Sequence, residues 1–133
     1  MIRLQLPFPV PLSACFKDVS VTSKKTGKTF RTRAPTGRYK DWQKAAHRMI
    51  EQQVTRDGEA VIMPGEVMVF VRLKAPDKRE RDAGNTDKAI CDILVKARII
   101  TNDSNRYVKR LTYQWVDDGV PCEVFIKPME LAA

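Results

Sequence analysis

The chain is poor in the residues on which several chemistries depend. Its only histidine is His47. A Ser-His-Asp or Cys-His system would have to use it, yet it falls in an expected helix beside Arg48 with no partner legible in the sequence. That scarcity pushes any catalysis toward carboxylates, lysine and metal. The cysteines are Cys15, Cys91 and Cys122, an odd number with no CxxC spacing. This argues against a disulfide framework and a zinc ribbon and fits a reduced cytosol; Cys91, in an apolar helical stretch, reads as core filler. The opening "MIRLQLPFPVPL" has one Arg, three prolines and no long apolar run. It reads as neither a signal peptide nor a membrane span, so the expected location is the cytoplasm, with no membrane partner. Repeats, low-complexity tracts and linker-like stretches are missing too, and 133 residues suit a single domain over 1–133 with a real core.

What the chain has is positive charge. Lys and Arg number 24 against 16 acids, for a formal net charge of +8. Such a balance points to nucleic acid as a partner, against the plainer reading of a solvated basic surface. Residues 2–6 alternate apolar and polar as a strand does, and "PFPVP" forces an extended exit. Residues 16–22 are weakly strand-like. "SKKTGKTFRTR" reads as a hairpin turn around Gly27 with residues 29–33 returning; its Lys24, Lys25, Lys28, Arg31 and Arg33 make either a mobile solvated loop or a flap that grips DNA. Tyr39, Trp42, Ala46, Met49 and Ile50 follow helical spacing. Thr36 is placed to cap that helix and Gly58 to end it; Trp42 reads as core.

"VMVFVRLKAP" (67–76) is the clearest strand. A charged loop, "DKRERDAG", leads to a second helix over 85–98, with Ile90, Ile93, Leu94 and Ala97 as its buried stripe. "RYVKRLTYQWV" and "VPCEVFIKP" read as two strands joined by a hairpin turn at "DDG". The order β, β-hairpin, α, β, α, β, β predicts a mixed α+β domain, two helices packed on a small mixed sheet.

The stretch "RDAGNTDKAICD" (81–92) gathers acids in a basic chain. Asp82, Asp87 and Asp92 cluster around the second helix, and Asp103 follows it in "ITNDSN". Phosphodiester cleavage needs a negative phosphate to meet a negative nucleophile; Mg²⁺ resolves this by neutralising charge and activating water. It takes carboxylate oxygens and keeps waters, and a nearby cation stabilises the developing charge. Acids flanked by Lys78, Arg79, Arg81 and Lys88 have that character. Spacing alone does not bring Asp82 and Asp103 together. The structural alternative is an ordinary i,i+4 pair of Lys88 with Asp92 and Asp82 as a helix-start charge.

"RDAGNTDKAICDILVKARIITND" resembles the RusA family of Holliday junction resolvases, found in bacteria and their prophages. Arg81, Asp82, Asn85, Lys88, Asp92 and Leu94 match the family's R-D-x-D-N-x-x-K-x-x-x-D-x-L run, and Asn102–Asp103 match its later acidic pair. "LPFPVP" resembles the family's first strand. The resemblance implies a homodimeric, Mg²⁺-dependent endodeoxyribonuclease, with Mn²⁺ able to substitute, that resolves four-way-junction DNA by paired symmetric nicks in recombination and repair. It implies Asp82 and Asp103 as metal-binding catalytic carboxylates, Lys88 as the catalytic lysine, and Asn85 and Asp92 as supports. Lys24, Lys25, Lys28, Arg31, Arg33, Lys78, Arg79 and Arg81 would bind DNA. One position departs: the family's second carboxylate falls at Gly84, which has no side chain to offer. Asp87, three residues on, is the candidate replacement. The chain is then a resolvase weakened or inactive at Gly84, or a non-catalytic junction-binding module on the same fold.

Overall fold

The computed structural model describes residues 1–54 and 63–129. Alternation in strand β1 (Ile2–Leu6) buries Ile2, Leu4 and Leu6 and turns Arg3 and Gln5 outward. Strands β2 (Phe16–Thr22) and β3 (Thr29–Pro35) form a separate antiparallel ribbon. Its turn closes with the Ser23 N–H donating to the Lys28 carbonyl at 2.9 Å, and Gly27 sits there at φ +68°, a conformation glycine takes without strain.

Helix α1 (Gly37–Val54) starts where expected. The Thr36 hydroxyl oxygen accepts the Tyr39 N–H at 3.2 Å, while its own proton goes to the Ala14 carbonyl at 2.7 Å. Tyr39, Trp42, Ala46 and Ile50 form the buried stripe. The Trp42 indole N–H donates to the Pro7 carbonyl at 3.2 Å, so the proline-rich exit of β1 is tied to this helix. The expected stop at Gly58 lies outside the described residues.

Strands β4 (Val67–Lys74), β5 (Val108–Val116) and β6 (Cys122–Pro128) complete a four-stranded sheet in the order β1-β6-β4-β5. Helix α2 (Asp87–Lys96) links β4 to β5, which run parallel; β6 is antiparallel to both β1 and β4. The "DDG" turn is therefore not a hairpin. The short link at 117–121 carries the chain across the end of β4, where the Lys74 N–H donates to the Pro121 carbonyl at 3.0 Å. Burial explains the placement: β6 has buried residues at four of its seven positions, as a central strand needs, while β5 has none in the same class and takes the edge.

The second helix is also shorter than the spacing predicts. A 3-10 turn over Ala83–Thr86 precedes it, and Arg98, at φ +59°, lies past its end. Val67, Val69, Val71 and Leu73 of β4 meet Ala89, Ile90, Ile93 and Leu94 of α2 and the α1 stripe in one hydrophobic cluster. Among the described residues no helix is long and apolar enough to cross a membrane. Leu94 is fully buried in this cluster. Leu94→Ala is expected to cost about 2–5 kcal/mol, measured as a lower urea midpoint at an unchanged slope.

Candidate functional site

The site sits where β4 ends and the chain turns toward α2. Asp77 organises this loop. Its carboxylate accepts the Arg79 backbone N–H at 2.9 Å and the Arg79 guanidinium at 3.0 Å, and pairs with Arg81 at 2.8 Å. Hydrogen bonds from Arg81 first, then Arg79, hold the Asp77 carboxyl well below the usual carboxylate range. Arg81 also donates to the Arg79 carbonyl at 3.1 Å and lies over the Phe8 ring at 5.7 Å. It is pinned, whereas the Arg79 side chain is 81% exposed and remains open to a ligand.

Asp82 follows in extended conformation, and its Oδ1 accepts the Gly84 N–H at 3.0 Å. It caps the 3-10 turn, as the alternative helix-start reading anticipates. Asp82 also lines a cavity of about 530 Å³ with Phe8, Arg38, Arg79, Arg81 and Asn85. The Asn85 N–H donates to the Asp82 carbonyl at 3.1 Å, so Asn85 steadies the Asp82 backbone.

On α2, Lys88 and Asp92 pair at 3.2 Å, and Asp92 also accepts the Tyr39 hydroxyl at 3.2 Å. Asp92 thus joins the two helices. Burial first, then the Asp92 charge, pushes the Tyr39 phenol up from its ordinary value, which keeps it a neutral donor. Asp87 is engaged in the same manner. Its Oδ1 accepts the Tyr113 hydroxyl at 2.9 Å and the Cys91 thiol at 3.1 Å. Burial, followed by Asp87, raises both groups; Asp103 and Asp92 add to the effect on Cys91.

A sequence model of the RusA endodeoxyribonuclease family matches residues 18–127. The chain belongs to that family. No curated protein sequence matches it. The match takes in the arginines of that cavity, α2 and the Asp103 loop.

The metal that RusA relatives are expected to use finds an incomplete donor set here. Among the described residues, no three of His, Cys, Asp and Glu converge so as to hold an ion. A Cβ added at Gly84 would stand 3.4 Å from Asp82 Oδ1 with nothing else but the Asp82 carboxyl carbon nearby. A carboxylate at 84 would thus lie beside that of Asp82, where two acids could share one cation. Asp87, the candidate replacement, has its Oδ1 occupied by the Tyr113 hydroxyl and the Cys91 thiol. Asp82 lies on the connection between β4 and α2, and Asp103 on the one between α2 and β5. Asp103 is exposed, and its charge reaches Cys91, four residues into α2.

Of the basic residues, Lys24, Lys25, Lys28, Arg31 and Arg33 all lie exposed on the β2–β3 ribbon and its turn, and Lys78 is exposed on the β4–α2 loop. Sequence reasoning missed two contributors. Arg38, in the first turn of α1, reaches the cavity only through tertiary packing. Asp77 had a signal, since it stands four residues before Arg81. His47 pairs with Glu51 at 3.2 Å. Asp87→Ala should strand the Tyr113 hydroxyl and Cys91 thiol and cost about 1–3 kcal/mol. The same loss in Mg²⁺ and in EDTA, by chemical denaturation, is expected; a loss seen only with Mg²⁺ would make Asp87 a metal ligand.

Proposed function

We propose that this chain is a structure-selective endodeoxyribonuclease for four-way-junction DNA, acting in recombination and repair and weakened at Gly84. The reading rests on one observation: in a chain of the RusA family, Asp82 opens into a cavity lined by Arg38, Arg79 and Arg81. Guanidiniums there are suited to phosphate oxygens, and the carboxylate is suited to a cation brought in with them. Asp82 and Asp103 are the carboxylates assigned to Mg²⁺, with Mn²⁺ as a substitute; two carboxylates, waters and a substrate phosphate suffice to hold such an ion. When bound, it would neutralise phosphate charge and activate water. Lys88, paired with Asp92 in the free protein, is assigned to the charge that develops on the phosphate.

The protein works in this reading as a homodimer whose two-fold axis matches that of the junction. Arg79, Lys78 and the ribbon cations supply the salt-dependent grip on DNA.

Gly84 favours a second reading, a junction-binding module that does not cut. The experiment that separates the two compares the wild-type chain with Gly84→Asp on a labelled four-way junction, in Mg²⁺ and in EDTA. The variant is expected to make paired symmetric nicks in Mg²⁺ at a rate about 10–100-fold or more above wild type. In EDTA the wild type should bind the junction at least as tightly, since it carries one negative charge fewer beside the phosphate. Equal cutting by both would show that position 84 carries no ligand; binding without cutting by either would establish the module.

A further inference from the structure

The β2–β3 ribbon is the part of the fold least supported by the core. At its base Phe16 packs edge-on against Tyr39, with ring centroids 5.6 Å apart, and Arg33 lies over the Phe16 ring at 5.1 Å. Beyond that base, two strands of seven residues extend for roughly 20 Å. Their register sorts the side chains. One face carries Arg31 and Arg33 opposite Ser20 and Asp18; the other places Val21 directly opposite Phe30, next to Val19 opposite Thr32. Phe30 is 52% exposed and Val21 39% exposed. An aromatic ring left half in water near the tip of a basic ribbon marks a contact surface.

Two occupants can be weighed on these facts. A second copy of the chain would meet a strip of only three apolar side chains, far short of the roughly 1,000 Å² that a specific interface buries. It would also bring Lys24, Lys25 and Lys28 of one turn toward those of the other. Nucleic acid suits every feature. A two-stranded ribbon fits a DNA groove, the cations meet phosphates, and an apolar side chain can enter between base steps and open them. We infer that Phe30, backed by Val21, is a wedge that inserts between bases at the branch point of a DNA junction, while Arg31 and Arg33 on the opposite face hold the phosphates of a neighbouring arm. Bases already poorly stacked at a branch are the least costly to separate, which would make the wedge a determinant of structure selectivity. This inference rests on the junction reading above.

The test uses the full chain and a four-way junction carrying 2-aminopurine at the branch point, with a linear duplex of the same sequence as control, in EDTA so that no cutting intervenes. Wild type is expected to raise the 2-aminopurine fluorescence as the base leaves its stack. Phe30→Ala should abolish that rise and weaken junction binding about tenfold, with duplex binding unchanged. Phe30→Trp should keep both. An undiminished rise with Phe30→Ala would overturn the wedge alone. Equal loss on junction and duplex would overturn it too, as would an unchanged rise accompanied by a shift to a smaller species in sedimentation, which would make the strip a subunit contact. If wild type itself fails to prefer the junction, the junction reading falls first and takes the wedge with it.

Discussion

Parallel strands cannot be joined by a tight turn, and the pairing of β4 with β5 is the constraint from which the rest of this structure follows. It demands a crossover, and α2 is that crossover, packing Ile90, Ile93 and Leu94 against the sheet. The crossover opens a loop after β4, and this loop is where Asp77, Arg79, Arg81 and Asp82 gather. Ligands of open sheets with parallel strands bind beyond the carboxyl ends of those strands, and the arginine-lined cavity lies there. The same pairing puts β5 at the edge of the sheet and β6 in its interior beside β4.

The acids that look alike in the sequence separate by what reaches them. Asp87 and Asp92 turn inward and accept hydrogen bonds from Tyr113, Cys91 and Tyr39. Each ties α2 to a different neighbour, β5 in one case and α1 in the other. Neutral donors kept neutral by burial are good partners for a carboxylate, since they satisfy its lone pairs without adding charge. Asp82 and Asp103 are exposed. The helix that carries Lys88 is thus held by the inward-facing acids.

Periodicity made much of the fold legible. The α1 stripe, the Thr36 cap and the alternation of β1 and β4 were all readable, because each is set by local spacing. The β5–β6 link was misread because a turn sequence says where the chain bends but not which strand it then joins; relative burial along the two strands held the missing information. The start of α2 was misplaced because Asp82 caps a 3-10 turn that local patterning cannot distinguish from the helix itself. At the site, the loop and helix residues were legible as a motif. Arg38 was not, because it comes from a different element, and the inward turn of Asp87 depends on Tyr113, which lies 26 residues away.

Binding and cutting make opposite demands on the Asp82 loop. A cation site needs acids close together, and phosphate binding needs them few. Gly84 stands where an added Cβ would face only the Asp82 carboxylate, so a side chain there would neither fill nor disturb the core. Its backbone N–H donates to Asp82 Oδ1, and a backbone donor is available from any residue except proline. The loop geometry therefore does not depend on which side chain stands at 84, and the charge of the cavity can change at that position without altering the fold that presents it.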